Sequence, residues 1–174
     1  MINSEEEVIG KFKELEFHVS RSRRYHMYRQ NFYETLDKIQ KIIFLISLSI
    51  MGVLTWDGVN SNFLFCLSIF MTLIAILNFV LDFSYQAKTH QDLKKRFIDM
   101  NANIFTIDKT SKNLSEINKE IFLIEKDEPP IYRGLNDICQ NEQAIAIGSK
   151  ARLPIPWHVR YFTKNLFLQP PFFQ

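Results

Sequence analysis

Two long uncharged stretches dominate the pattern of hydrophobic and polar positions along this chain. Residues 42–56 and 58–81 carry no charged side chain, and Asp57 separates them. A helix rises about 1.5 Å per residue, so the roughly 24 residues of the second stretch cross a hydrocarbon layer of about 30 Å. The first stretch has only about 15 residues and needs Lys38, Lys41 and Trp56 to anchor its ends among lipid headgroups. The pattern predicts a hairpin of two transmembrane helices.

Outside the hairpin, apolar residues recur at helical spacing, and glycine is scarce at 5 residues while phenylalanine numbers 16. This composition is typical of long helices and predicts an all-α membrane protein, folded as one domain over residues 1–174. We expect an amphipathic helix at 4–19, begun by a capping box of Ser4 and Glu7, and a stem and first span at 20–56. A second span with an uninterrupted cytoplasmic extension follows at 60–105. Further cytoplasmic helices occupy 111–168, with Gly148 ending one of them.

The basic residues predict the orientation of the hairpin. They precede the first span and follow the second, whereas the connection at 57–62 contains no Lys or Arg. By the positive-inside rule, both termini lie in the cytoplasm. The net charge of +2 is too small to suggest a nucleic-acid partner, so the lipid bilayer is the partner that these charges indicate.

Polar residues within the spans form a candidate pore-lining or helix-packing set. On the second helix, small and polar residues recur every three or four positions at Ser61, Ser68, Thr72, Ala75 and Asp82. Such a stripe either packs against another helix or, in a ring of subunits, lines an aqueous path. Asn78 and Asp82 are costly to expose to lipid, so both should face protein or water, unless Asp82 pairs with Lys38 or Lys41 at the inner headgroups. Ser49 and Gly52 offer a matching side on the first helix.

Catalytic chemistry has little support in the sequence. It contains no Gly-rich phosphate loop, no G-x-S-x-G, no H-E-x-x-H and no paired CxxC, so we expect no catalytic residue, metal site or cofactor. Cys66 and Cys139 are best read as small apolar residues. His26 and His90 near the inner membrane surface allow a proton or ligand site, but packing or a satisfied hydrogen bond is the favoured interpretation.

Several segments together resemble a known family. These are YHMYRQNF at the start of the stem, DFS after the second span, and a cytoplasmic pattern formed by Ala87, His90, Leu93, Arg96 and Phe97. The chain is similar in these features, and in its tail with Trp157 and Arg160, to the SLATT family, the SMODS and SLOG-associating two-transmembrane effector domains of bacteria. None of the matching residues forms a catalytic signature, so the likeness rests on their order and spacing.

The resemblance implies a non-enzymatic effector of the bacterial inner membrane. Such proteins are thought to assemble as homo-oligomers and to form pores or disrupt the membrane in nucleotide-signalling-linked anti-phage defence, by abortive infection. The activating partner is then a separate nucleotide-signalling or sensor protein, or a nucleotide second messenger. Candidate residues for coupling that signal to the spans are Arg24, Tyr25, His26, Arg29, His90 and Arg96.

The main alternative is a non-conducting membrane anchor or scaffold whose cytoplasmic helices recruit a partner. A phage holin fits less well, because the part outside the spans is larger than a holin needs. An enzyme that depends on its histidines or on a metal ranks last.

Overall fold

The computed structural model describes residues 2–56 and 61–161. Five α-helices occupy this part of the chain: α1 Ile2–Trp56, α2 Ser61–Leu81, α3 Phe83–Thr106, α4 Ser111–Glu125 and α5 Arg133–Ala146. The described residues contain no strand, and a further helical stretch covers residues 157–161. The prediction of an all-α chain is confirmed. The predicted tail helix beyond residue 161 and the connection at 57–60 lie outside the described residues.

Helix α1 is a single helix of 55 residues. The prediction of a separate amphipathic helix at 4–19 is therefore wrong, and Ser4 lies within the helix rather than at its cap. No proline precedes Pro129, and no glycine falls between Gly10 and Gly52, so nothing in the sequence interrupts the helix near residue 19. A rigid rod consequently connects the N-terminal segment to the first apolar span.

The second long helix, by contrast, is broken. Asp82 adopts a left-handed conformation with φ 36° and ψ 64°, and its carboxylate accepts a hydrogen bond from the backbone N–H of Tyr85. The predicted uninterrupted helix at 60–105 is wrong at this residue. Asp tolerates the left-handed region better than most residues and caps the new helix α3. Lys41 pairs with Asp37 at 2.6 Å, and among the described residues Asp82 forms an ion pair with neither Lys38 nor Lys41, the two partners considered from the sequence.

Apart from Met71 on α2, the buried apolar residues of the described chain lie on one side of this break. Helix α3 packs along the N-terminal half of α1, and α4 covers the groove between them. The buried apolar residues of this cluster are Phe12, Val19, Leu93, Phe97, Met100, Ile104, Ile117, Ile121 and Ile124. Helix α5 adds a smaller cluster of Tyr25, Leu135 and Cys139. Gly148 has φ 73°, and the next N–H bonds back to Ala144 O at 2.9 Å, so this glycine ends the α5 segment as predicted.

The two apolar stretches have the opposite character. Each belongs to a helix that is long and apolar enough to cross a membrane, and only 0% and 6% of their most apolar windows are buried. Phe79 is 88% exposed, and Phe65, Leu45 and Val53 are each more than half exposed. Helices in the core of a soluble protein would be covered by other parts of the chain.

Candidate functional site

A pair of buried histidines joins α1 to α3. His26 is 1% exposed and His90 0% exposed, and their Nδ1 atoms are 2.9 Å apart. The other ring nitrogen of His26, Nε2, lies 3.1 Å from Glu128 Oε1 in the connection between α4 and α5. Hydrogen bonds therefore connect three segments that are far apart in sequence. We call the three connected residues, His90, His26 and Glu128, the histidine relay.

The proton positions in the relay follow from its geometry. A carboxylate only accepts, so His26 Nε2–H donates to Glu128 and His26 Nδ1 is left as an acceptor. His90 Nδ1–H then donates to His26 Nδ1. This assignment leaves His90 Nε2 as an unprotonated nitrogen, and that buried atom has no hydrogen-bond partner within residues 2–56 and 61–161. One proton arrangement thus accounts for all four ring nitrogens.

The relay resists taking up a further proton. Wherever an added proton enters the pair, an N–H appears at His90 Nε2, where no acceptor is present. Burial, then the neighbouring His26, then Arg29 lower the pKa of His90 from 6.5 to about 3. A protonated His90 would be shielded from water and would lie near the guanidinium of Arg29, so the neutral form is favoured.

Aromatic rings enclose the relay. Phe97 stacks on His26 with ring centroids 5.5 Å apart, and Tyr33 stacks on His90 at 5.7 Å. Tyr25 meets His26 edge-on at 5.3 Å. The guanidinium of Arg29 lies over the Tyr33 ring, 4.7 Å from its centroid. These contacts exclude water and hold the imidazoles in one orientation.

Additional polar contacts fasten the rest of the bundle to α1. Arg24 donates to Gln143 on α5 at 3.0 Å, and Tyr28 donates to Glu142 at 2.8 Å. The hydroxyl of Tyr25 accepts from the backbone N–H of Tyr132 at 2.8 Å. Burial and then the hydrogen bond to Glu142 raise the pKa of Tyr28, so its hydroxyl remains a donor. Helix α5 is held by polar contacts as well as by its small apolar cluster.

Five of the six predicted coupling residues connect different parts of the fold. Arg24, Tyr25, His26 and His90 do so as described, and Arg96 on α3 bonds Asp127 at 2.7 Å and Leu123 O at 3.3 Å. Arg29 donates to the hydroxyl of Tyr33 on α1, and its guanidinium also lies over that ring. The sequence interpretation missed Glu128, Tyr33 and Gln143. Glu128 stands in an Asp-Glu-Pro-Pro run that indicates only the end of a helix, so its partner could not be identified from the sequence.

The described hydroxyls of the candidate pore-lining or helix-packing set bond within their own helices. Ser68 donates to Phe65 O at 2.7 Å, Thr72 to Ser68 O at 2.9 Å and Ser49 to Leu45 O at 2.9 Å, so each hydroxyl is satisfied on its own helix. Ala75 is exposed beside a groove shared with α1. The side chains of Ser61 and Asn78 lie outside the described residues.

Gly52 presents an open surface. A methyl group at this position would meet nothing within 4 Å, so no part of the described chain packs against it. The close-contact side predicted for Ser49 and Gly52 is therefore not used within one chain.

The described residues offer no group of three His, Cys, Asp or Glu side chains placed to hold a metal ion. Cys139 is fully buried, and burial raises the pKa of its thiol to about 12, so it stays protonated and packs as an apolar group. Cys66 is exposed on α2.

Comparison with known proteins adds no identification. No protein-family model, curated protein or solved structure matches this chain. The likeness to the SLATT family, noted from the sequence, stays a prediction, and the function has to be argued from the geometry.

Proposed function

We propose that this protein is an oligomeric effector of the bacterial inner membrane, with both termini in the cytoplasm, that permeabilises the membrane in nucleotide-signalling-linked anti-phage defence. One observation supports it above all: two exposed apolar helical segments are joined directly to a helical bundle that has its own buried core. The α1 helix passes from bundle to span without a break. A movement in the bundle is therefore transmitted to the membrane without an intervening linker.

The exposed surface of the spans supports membrane insertion. Burial of apolar area is worth about 25 cal/mol per Å², so water is a poor environment for this many uncovered Phe, Leu, Ile and Val side chains. Acyl chains cover them at no such cost. All backbone groups within a helix are paired, as a membrane span requires.

Permeation requires several copies. The two helices of one hairpin cannot enclose an aqueous path, so several hairpins must surround a common axis. Gly52 has no side chain and is uncovered, so another helix can approach α1 closely at this position. The hydroxyls of Ser68 and Thr72 bond their own backbone in a single chain, and each oxygen retains acceptor capacity for water or a neighbouring helix.

The histidine relay is the coupling point in this proposal. His26 lies about 24 Å along α1 from the start of the first apolar stretch at Ile42, within the same helix. The break at Asp82 lets α2 move relative to α3. A sensor protein or a nucleotide second messenger that displaces Glu128 or α5 would free α1, and the rod would carry that motion to the spans.

A hairpin exchange in growing bacteria tests the proposal. Induced expression of the native chain should depolarise the cells, as reported by a potential-sensitive dye. Replacing residues 42–81 by an unrelated two-helix hairpin of equal length should abolish depolarisation while leaving the protein in the membrane. Lys112→Gln, at an exposed position on α4, is the matched control and should behave like the native chain. Full depolarisation by the exchanged chain would contradict the proposal.

A membrane anchor that recruits a cytoplasmic partner is the second candidate. It is favoured by the hydroxyls of Ser49, Ser68 and Thr72, all of which are satisfied on their own backbone. In that case the exchanged hairpin should retain the cellular effect in full, because only the bundle carries the activity.

A further inference from the structure

Two clefts adjoin each other on the surface where the bundle meets the spans. The first, of about 280 Å³, lies between α1 and α3, and we call it the polar pocket because four charged residues line it: Glu34, Asp37, Lys38 and Lys88. The second, of about 400 Å³, lies between α1 and α2 and is lined largely by apolar groups, including Phe44, Leu45, Ile74 and Ala75. A polar pocket is thus followed at once by an apolar groove.

The two clefts share one face of α1. Glu34, Lys38, Lys41 and Leu45 follow one another at intervals of four, three and four residues, which places them along one stripe of the helix. Lys41 belongs to both clefts, because it lines the apolar groove and its ammonium group bonds Asp37 in the polar pocket. A single elongated molecule can therefore occupy both.

The charges of the polar pocket leave a place for one anion. The carboxylate of Asp37 is neutralised by Lys41 at 2.6 Å, and the carboxylate of Glu34 accepts a hydrogen bond from the Gln30 amide at 2.6 Å. Lys38 and Lys88 have no hydrogen-bond or ion-pair partner among the described residues. Three ammonium groups thus face two carboxylates, an excess of one positive charge.

The pocket lies at the depth of lipid headgroups if the spans cross a bilayer. Lys88 is about 9 Å along the helix axis from Asp82, where the apolar helix α2 ends. The headgroup layer on each side of a bilayer is about 5–8 Å thick, and a lysine stem extends its ammonium group toward that layer.

We propose that these clefts form a binding site for one phospholipid molecule with a net negative charge. Its phosphate diester lies between the ammonium groups of Lys38 and Lys88, and an acyl chain lies in the groove against Phe44, Leu45 and Ile74. The single negative charge of the diester matches the single excess positive charge of the pocket. The groove of about 400 Å³ falls within the range of about 300–1,000 Å³ that is typical of small-molecule sites, and the polar pocket of about 280 Å³ is slightly smaller.

The inference rests only on the membrane insertion contained in the proposed function, not on permeation. The lipid would connect the helices on both sides of the break at Asp82. Its headgroup would contact α1 and α3, and its acyl chain would contact α1 and α2. Its presence would therefore limit how far α2 can move relative to the bundle.

Native mass spectrometry of the purified, delipidated full chain in detergent tests the site. The probes are phosphatidylglycerol, phosphatidylcholine with the same acyl chains, sn-glycerol 3-phosphate and inorganic phosphate. We expect one phosphatidylglycerol per chain, bound at least tenfold more tightly than phosphatidylcholine, and no retained adduct with either water-soluble phosphate. The double variant Lys38→Gln/Lys88→Gln should weaken phosphatidylglycerol binding at least tenfold.

The control is Lys95→Gln/Lys112→Gln, which removes the same charge from exposed positions outside the pocket and should bind as the native chain does. Leu45→Trp, which fills the groove, should weaken the binding of both lipids without altering the charge of the polar pocket. Unchanged binding by the Lys38/Lys88 variant, equal affinity for the two lipids, or equal binding of free phosphate would overturn the site. Ion flux measured on the same preparations separates the two proposals: lipid binding without flux contradicts permeation alone, and flux without lipid binding contradicts the site alone.

Discussion

The bundle and the hairpin use their apolar side chains in opposite ways. In the bundle, Phe97 and Ile104 are fully buried and the polar groups of His26 and Tyr25 bond other segments. In the hairpin, Phe65 and Phe79 are largely exposed and the hydroxyls of the spans bond their own helices. The bundle covers its apolar side chains within one chain, whereas the described part of the hairpin leaves most of its apolar side chains exposed. Mutations in the two regions should therefore affect different measurements.

The largest effect is expected at Phe97. Phe97→Ala removes a fully buried ring stacked on His26 and should lower the free energy of unfolding by about 3–5 kcal/mol. Phe105→Ala on the same helix, where the ring is 63% exposed, should change it by less than about 0.5 kcal/mol. Denaturant unfolding in detergent, followed by circular dichroism, measures both. Equal losses would mean that the bundle is not the packed core described.

Acid should weaken the bundle through His90. The pKa of His90 in the folded protein is about 3, below its ordinary 6.5, so between these values the unfolded chain binds the proton and the folded chain does not. Stability should be unaffected by this group above pH 6.5 and should fall as the pH drops below it, by up to about 1.4 kcal/mol per pH unit.

A histidine substitution isolates this contribution. His90→Leu removes the titrating group, so the difference in unfolding free energy between pH 7 and pH 5 should shrink by about 2 kcal/mol relative to the native chain. Other groups facing the relay, namely His26, Glu128, Arg29, Tyr25 and Tyr33, remain in both proteins. His158→Ala, at an exposed histidine, should leave the pH dependence as it is. An unaltered difference in the His90 variant would contradict the buried relay.

The break between the two regions should respond to the residue at position 82. Asp82→Ala loses the cap and places a Cβ-bearing residue without a compensating hydrogen bond in the left-handed region, at a cost of about 1–2 kcal/mol. Asn and Gly both tolerate the left-handed conformation, so Asp82→Asn and Asp82→Gly should each lower the free energy of unfolding by only about a few tenths of a kcal/mol. Thermal unfolding of the three variants gives the ranking. If Asp82→Asn lost as much stability as Asp82→Ala, the negative charge of Asp82, rather than its helix cap, would be the feature that is needed here.

The smallest effect is expected at Gly52 and concerns assembly. Because a methyl group there meets nothing in the single chain, Gly52→Ala should preserve folding while holding neighbouring helices apart. The dissociation constant of the oligomer in nanodiscs should rise two- to fivefold, or about 0.4–1 kcal/mol. Gly10→Ala is the matched control, since Gly10 also has open space but lies far from the span. Equal oligomer populations in the two variants would show that this face is not used between copies.

Much of the architecture was predictable because it depends on local chemistry. Uncharged length identifies the two long apolar helices, and the Pro-Pro run and Gly148 locate the limits of α4 and α5. Two boundaries were not predictable from periodicity. The apolar pattern continues on both sides of Asp82, so it does not reveal the left-handed break, and the change in pattern near Ser20 does not end α1.

The candidate site was only partly predictable, because its contacts are long-range. His26 and His90 were identified separately, but 64 residues separate them and only the packing of α1 against α3 brings their Nδ1 atoms together. Glu128 belongs to a connection whose path depends on how α4 docks. For the spans the sequence left open whether the hydroxyls pack or line a path, and a single chain shows them bonded to their own helices.

The most direct test of the proposed function is ion flux into liposomes as the ratio of purified protein to lipid is raised. If several hairpins must surround a path, flux should increase more steeply than in proportion to protein density, because assembly precedes permeation. Liposomes that stay impermeable at every density, or flux strictly proportional to protein from the lowest density, would contradict an assembled permeation path.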